Sequence, residues 1–348
     1  MTGNSRPPAP SRVLIIKPSS LGDVVTALPV LRALRRTFPR CRVLWMLSAT
    51  CAPLVEGDAD LDGVVLFDRR RLGRAWRSPG ALLDLERFLR GLRKQRFDWV
   101  IDLQGLFRSG FFAWASRAPV RAGFADAREG ARMFYTHSIR VSAAHAIDRN
   151  IELAGQLGID ASREDLRLTV ATDARAFADE TFRRLGLKRG GFVACVPPTR
   201  WSNKRYPARH WRAVAAGLSK TAPVVLLGAD GDRDLCDAIA DGSPRVANLA
   251  GRTTVPQFAA MIACSALVIC SDSAAQYIAT AVGVPALTLI GPTRVERTGP
   301  YGRGRALTAP VPCQGCLKRR CRHATCMELI SPAEVLAAAE AMLDQERR

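Results

Sequence analysis

Phe192-Val193-Ala194-Cys195-Val196, followed after two prolines by Thr199-Arg200-Trp201-Ser202-Asn203-Lys204-Arg205-Tyr206-Pro207, is the stretch on which the fold turns. A short, continuously apolar run reads as a parallel strand buried on both faces. Hydroxyls, an amide and three cations follow it, just ahead of a helical pattern over Ala208–Leu218. That is the composition of an anion-binding strand-to-helix loop. Taken alone, the loop is either a phosphate site or a solvated basic turn after a core strand, and the rest of the chain has to decide.

The N-terminal half repeats this logic. Val13-Leu14-Ile15-Ile16 is another continuously apolar run, and it opens onto the loop Lys17-Pro18-Ser19-Ser20-Leu21-Gly22-Asp23. Val24, Val25, Leu28, Leu31 and Leu34 then recur at helical spacing, with Pro29 expected to kink that helix or reset its first turn. Gly22 lets the backbone approach a ligand closely. Asp23 falls near a helix N-terminus at the carboxyl end of the strand, the edge where doubly wound sheets bind ligands. Further strands are expected at Arg42–Leu47, Gly63–Phe67 and Trp99–Leu103, with a helical pattern from Leu82 to Leu92 before the last. Gln104-Gly105 ends the Trp99 strand at the same edge as Asp23. Alternating β and α units predict an α/β fold built on open sheets.

Beyond Asp160 the pattern loosens, and Leu166, Leu168 and Val170 are expected to form a linker strand. A first domain is placed over residues 1–170 and a second over 171–331. The second domain repeats the alternation through strands at Phe192–Val196, Val224–Leu227, Val246–Leu249, Leu267–Cys270 and Pro285–Ile290. Gly228-Ala229-Asp230-Gly231 follows one of these strands. Ser271-Asp272-Ser273-Ala274-Ala275 joins another to a helix carrying Ile278, Ala281 and Val282. Ser and Asp there are either ordinary N-caps or the rim of a pyrophosphate site, since free helix amides and the helix dipole favour that anion. A final helix over 332–348, opened by a Ser331–Glu334 capping box, is expected to pack back on the first domain.

The chain has 348 residues, 48% of them apolar, and a formal net charge of +19. No run of 18 apolar residues suggests a membrane span. Met1–Arg12 is polar and lacks the apolar core of a secretory signal, which predicts a cytoplasmic protein. The charge predicts an anionic partner: nucleic acid, a phosphorylated small molecule or an acidic membrane surface. Residues 68–140 hold sixteen Lys or Arg against seven Asp or Glu, including Arg69-Arg70-Arg71 in one loop. Three consecutive arginines past a strand end suit bidentate contacts to phosphate or carboxylate. A nucleic-acid binder is not expected, because no stacking or groove-reading module is present.

Lys17 to Asp23, Asp102-Leu103-Gln104-Gly105, Thr199-Arg200-Trp201 with Lys204, Ser271-Asp272-Ser273 and Gly291-Pro292-Thr293 occur in order. With that set the chain resembles the bacterial lipopolysaccharide heptosyltransferases of glycosyltransferase family 9, from about Val13 to Leu343. The resemblance implies a GT-B architecture: two Rossmann-like doubly wound domains facing a cleft, acceptor on the first and nucleotide-sugar on the second. It implies inverting transfer of heptose from ADP-heptose to a Kdo residue of the lipopolysaccharide inner core, at the cytoplasmic surface of the inner membrane. Asp23 matches the family's base and Lys204 its phosphate-binding lysine, with Thr199 beside it. Asp272 and Ser273, followed by Ala274, match the motif at the diphosphate-sugar end, and Asp230 falls where an acidic residue holds the ribose. Ser20, Gly22, Gln104 and Arg69, Arg70 and Arg71 would serve an anionic lipid A–Kdo acceptor. Cations and a helix N-terminus stabilise the leaving diphosphate, so no cofactor is required for catalysis.

The family's usual segment after the aspartate is Ser or Thr, Gly, two variable residues and His. This chain has Ser273, Ala274, Ala275, Gln276 and Tyr277. Tyr277 retains one hydrogen-bond donor at the position of the His. Two alternatives follow from the change: a family 9 enzyme with a different nucleotide-sugar or acceptor, or a non-catalytic nucleotide-sugar-binding relative. Of ten cysteines, six are scattered through apolar patterns. Cys313, Cys316, Cys321 and Cys326 have ligand-like spacing, either for a structural metal, with His323 as an alternate ligand, or as free thiols.

Overall fold

The structure, a computed structural model, describes residues 7–68, 71, 73 and 78–347. The chain divides into two units, one ending at Leu166 and the other beginning at Arg167. In the first, β1 (Arg12–Ile16) leads through α1 (Leu21–Thr26) and α2 (Leu28–Thr37) to β2 (Arg42–Leu47) and β3 (Gly63–Leu66). Next come α3 (Pro79–Lys94), β4 (Trp99–Asp102), α4 (Phe107–Ala115), β5 (Val120–Phe124), β6 (His137–Ile139) and α5 (Ala146–Gln156). The strands lie in the order β3-β2-β1-β4-β5-β6, and every pair is parallel. Val13 to Ile16 is fully buried, which is why its sequence is apolar without alternation. Pro29 sits in the first turn of α2, so the chain resets at Ala27.

The second unit opens with α6 (Thr172–Leu185) and runs through β7 (Val193–Val196), α7 (Ala208–Leu218), β8 (Val224–Leu226), α8 (Arg233–Ala240) and β9 (Val246–Asn248). It continues with α9 (Val255–Ala263), β10 (Leu267–Ser271), α10 (Ala274–Ala281), β11 (Ala286–Leu289) and α11 (Val295–Thr298). β12 (Arg305–Leu307), α12 (Thr325–Glu328) and α13 (Pro332–Arg347) close it. Its strand order is β12-β11-β10-β7-β8-β9, again all parallel. Counted within its own unit, each sheet therefore has the order 3-2-1-4-5-6 of a Rossmann sheet. The order reverses between β1 and β4 in one and between β7 and β10 in the other, and ligand crevices form at such reversals.

Two expectations change here. Residues 166–170 form no strand, because Leu168 N–H donates to the carbonyl of Ala281 at the end of α10 (2.9 Å) and has no ladder to join. A short 3-10 turn, Arg163–Asp165, precedes them, and Arg36 of α2 holds Asp165 Oδ1 at 2.5 Å. The last helix, reserved by the sequence reading for the first domain, buries Val335, Ala339 and Met342 in the core of the second unit. It packs on α7, where Gly217 makes room: a Cβ there would lie 2.6 Å from a Leu336 methyl. The Ser331–Glu334 capping box is formed as read, with Ser331 N–H on Glu334 Oε2 (2.8 Å) and Glu334 N–H on Ser331 Oγ (3.2 Å).

The helix that follows Asp23 is held by a buried ion pair. Arg32 Nη2 meets Asp58 Oδ2 at 2.5 Å and Arg32 Nη1 meets Asp60 Oδ2 at 2.6 Å, with the Arg32 and Asp58 side chains 7% and 2% exposed. Arg32→Met strands a buried carboxylate, so we expect urea unfolding of the full chain to show a loss of about 3–5 kcal/mol. A change below about 1 kcal/mol would mean that Asp58 finds a substitute partner.

Candidate active site

In the first unit, register sets the site. Ile16 pairs with Asp102, so the loops after β1 and β4 leave the sheet side by side. Lys17 crosses between them, its Nζ donating to the Leu103 carbonyl (2.6 Å). Ser20 caps α1, and its N–H (2.7 Å) and Oγ–H (2.8 Å) both donate to Asp23 Oδ2. Asp23 Oδ1 lies 3.9 Å from Lys17 Nζ, and the carboxylate is 43% exposed. Gly22 is buried in the same turn. The structure thus brings Ser20, Gly22 and Asp23 together beside the Gln104 loop.

Asp102 shapes that second loop. Its Oδ1 accepts the N–H groups of Gln104 (2.9 Å) and Gly105 (3.1 Å), and its Oδ2 accepts the Tyr135 hydroxyl (2.7 Å). Burial pushes the Asp102 carboxyl above the usual range, and burial beside that carboxylate pushes the Tyr135 phenol up in turn. Gly105 takes a left-handed φ of 63° to close the turn. The Gln104 side-chain oxygen is buried and accepts no hydrogen bond from a described residue. Arg69 and Arg70 lie outside the described residues. Arg71 is exposed and pairs with Asp84 of α3 (2.6 Å).

The second unit builds the same arrangement with more charge. Cys270 pairs with Val196, so the Thr199–Pro207 loop after β7 and the Ser271–Ala274 loop after β10 are neighbours. Ser202–Lys204 is a 3-10 turn that delivers the Lys204 ammonium to Asp272 Oδ2 at 2.7 Å. The two side chains are 15% and 6% exposed. Asp272 Oδ2 also accepts Thr293 Oγ1 (2.5 Å) and Thr298 Oγ1 (3.5 Å), while Oδ1 accepts Gln276 Nε2 (2.9 Å). Lys204 Nζ lies 4.5 Å over the Trp201 ring, and Arg319 lies 5.2 Å over the same ring. Asn203 donates to the Lys318 carbonyl, so the cysteine-rich segment packs on this loop.

Other expected residues take different places. Thr199 Oγ1 donates to the Trp201 carbonyl (2.8 Å) and so folds the loop that carries Lys204. Tyr277 is buried, with its hydroxyl on the Thr298 carbonyl (2.9 Å), and does not stand in the open where a ligand-binding His would. Ser273 is the extended N-cap of α10 and makes no side-chain cap, so the amides that begin at Ala274 keep no side-chain partner at the cap. Asp230 lies beyond β8 at the same sheet edge, exposed and paired with Arg233 (2.9 Å). Trp201, Gln276, Thr293, Thr298 and Arg319 were not singled out as site residues. Gln276, in the first turn of the helix just after Asp272, was the one near enough in sequence to be read.

The four clustered cysteines form no disulfide. Among the described residues no group of three or more His, Cys, Asp or Glu is placed to hold a metal ion. Cys326 is drawn into the core beside Gly291, where a Cβ would come 2.9 Å from its sulfur, while Cys313 and Cys316 are exposed. Burial pushes the Cys326 thiol up, and the backbone N–H of Ala324 pulls the half-buried Cys321 thiol down.

A model of glycosyltransferase family 9 (heptosyltransferase) matches residues 85–326. Lipopolysaccharide heptosyltransferase 1 of Pseudomonas aeruginosa is 27% identical, over 95% of this chain and 98% of its own length. The Escherichia coli K12 protein of the same name is 27% identical over 84% of this chain and 92% of its own. Among solved structures, Escherichia coli heptosyltransferase WaaC with ADP superposes with a TM-score of 0.77 at 24% identity, covering 95% of this chain and 99% of that one. A family 9 glycosyltransferase from Veillonella parvula gives 0.79 at 21% identity, covering 96% and 97%. The two Rossmann-ordered sheets share the GT-B fold of these neighbours.

Asp272→Asn keeps the outline of the carboxylate and removes its charge, leaving a largely buried ammonium without its counter-ion. We expect a loss of about 2–3 kcal/mol in urea unfolding. Unchanged stability would show that Lys204 simply turns out to solvent.

Proposed function

The chain belongs to glycosyltransferase family 9 (heptosyltransferase), and from that premise we propose that it moves heptose from ADP-heptose to a Kdo hydroxyl of the lipopolysaccharide inner core, with inversion. Relatives named lipopolysaccharide heptosyltransferase 1 and a neighbour crystallised with ADP support this reading. The observation that carries it is the pre-placed Lys204 ammonium beside the uncapped N-terminus of α10. One N–H of the ammonium goes to Asp272, which leaves two for a diphosphate. The first amides of α10 supply further donors to the same anion. Both stabilise the charge that develops on ADP as the bond to the sugar breaks, in place of an obligatory metal. Arg319 adds a second cation over Trp201, and the exposed Asp230 carboxylate is suited to ribose hydroxyls.

On the acceptor side, Asp23 is the base. Ser20 fixes Oδ2 through two hydrogen bonds, so Oδ1 is the oxygen that takes the proton. The hydroxyl oxygen attacks the anomeric carbon as its proton passes to Asp23, and ADP departs with the bonding pair. Gln104 has a carbonyl oxygen, unpartnered among the described residues, that can accept from the acceptor sugar once its side chain turns outward. Arg71, 63% exposed and paired with Asp84, is suited to an acceptor carboxylate or phosphate, as Arg69 and Arg70 are by residue type. The acceptor is lipid-bound, which places the working enzyme at the cytoplasmic membrane surface. Among the described residues no helix is long and apolar enough to cross a membrane.

Asp23→Asn is expected to cut kcat by about 10² to 10⁴ while ADP-heptose affinity, read by calorimetry, stays within about twofold. Normal turnover by this variant would remove Asp23 from the chemistry. Lys204→Ala should weaken ADP-heptose binding about tenfold and also slow transfer. A thermal-shift panel of ADP-heptose, ADP-glucose and UDP- and GDP-sugars decides the donor. Stabilisation by a uridine or guanosine nucleotide alone would reassign it, and silence to all of them would favour a non-catalytic role.

A further inference from the structure

The outer side of α4 carries apolar surface that the first unit does not cover. Phe107, Phe111 and Trp114 recur at i, i+4 and i+7 and so share one face, opposite the buried Phe112 and Ala113. Phe134, from the 3-10 turn Ala131–Phe134 after β5, lies against all three, with ring centroids 5.2, 6.3 and 6.4 Å from Phe107, Phe111 and Trp114. Phe107, Trp114 and the neighbouring Met133 remain 48%, 52% and 75% exposed. Ring-on-ring contact holds these groups in place, so little side-chain entropy is lost when a partner covers them.

Cations surround the aromatic group. Arg108, Arg128 and Arg132 are exposed and make no ion pair with another described residue. Of the acidic residues nearby, Asp126 is neutralised by Arg149 at 2.7 Å, which leaves Glu129. The patch also adjoins the acceptor edge. Arg128 N–H donates to the Gly105 carbonyl at 2.9 Å, so the turn that carries Phe134 is latched to the Gln104 loop.

We infer that this aromatic and arginine face docks the first unit on an anionic phospholipid bilayer. Trp and Phe are at home at the headgroup level, where a large apolar body meets water, and arginines beside them reach lipid phosphates along apolar stems. An anionic leaflet supplies the complementary charge. The inference rests on the proposed lipid-bound acceptor, whose headgroup would be presented beside the Asp23 and Gln104 loops.

The test is co-sedimentation of the full chain with vesicles of phosphatidylglycerol in phosphatidylcholine, and with pure phosphatidylcholine. Binding is expected to the anionic vesicles and to fall with added salt. Arg128→Gln and Arg132→Gln should each weaken it about fivefold, and Trp114→Ser with Met133→Ser by about tenfold or more. Circular dichroism and transfer to a deacylated, soluble acceptor should not change in these variants. Absence of binding, equal binding to both vesicle types, or variants that bind like the parent would each overturn the surface. So would a chain dimer, seen by sedimentation equilibrium, that the same substitutions dissolve. Transfer to the soluble acceptor separates the two ideas: if the parent chain fails there, the proposed function falls, and if only vesicle binding fails, the surface alone falls.

Discussion

In each unit a lysine that crosses the reversal point of the parallel sheet is the contact on which the loops at its ligand-binding edge depend. Lys17 leaves the end of β1 and reaches the Leu103 carbonyl past the end of β4, and Lys204 leaves the loop after β7 and reaches Asp272 past the end of β10. In each unit the crossing ties the loop after the first strand to the loop after the fourth. Those two loops border the crevice created by the 3-2-1-4-5-6 order. Without such a tie, two loops on adjacent strands would be free to splay and the crevice would have no fixed shape. The repeated order supplies the location, and the lysine supplies the geometry.

The two units solve the same electrostatic problem in different ways. Each places a buried aspartate at or just past the end of its fourth strand. Asp102 is satisfied by two backbone N–H groups and a phenol, all neutral, and burial lifts its carboxyl. That carboxylate organises a turn and offers a ligand nothing of its own. Asp272 is satisfied by an ammonium, two hydroxyls and an amide. Its unit therefore keeps a cation at the sheet edge, while the first unit leaves a half-exposed carboxylate, Asp23.

Much of this was readable because the central strands are buried on both faces. Val13–Ile16, Phe192–Val196 and Leu267–Cys270 announce themselves as unbroken apolar runs, and the polar loops after them are the site. Three strands, β5, β6 and β12, have no counterpart among the strands expected from the sequence. β5 contains Arg121 and Gly123, the latter needed because a Cβ would come within 2.4 Å of the Tyr135 ring, and β6 and β12 have three residues each. A three-residue strand has no period to detect. The partners of Asp272 were missed for another reason: Thr293 and Thr298 lie 21 and 26 residues away, and only the fold brings them close. Tyr277 was read as facing a ligand from its place in a motif, yet its hydroxyl is taken by the Thr298 carbonyl. The cysteine spacing leaves a metal and free thiols equally open, because spacing carries no information about depth. Cys326 is buried while Cys313 and Cys316 are at the surface.

The ion pair between Lys204 and Asp272 also bears on how quickly a nucleotide leaves. An isolated cation in so sheltered a place would be left desolvated and uncompensated each time its anion departed, and that penalty would make it a trap. Here the ammonium keeps its own carboxylate, 2.7 Å away. In the proposed reaction the departing diphosphate would leave behind a lysine still paired with a resident anion, so the cost of losing ADP is smaller than for an unpaired cation. In that reaction the pair would therefore limit inhibition by the ADP product, with Asp272 sharing that role with the lysine it holds.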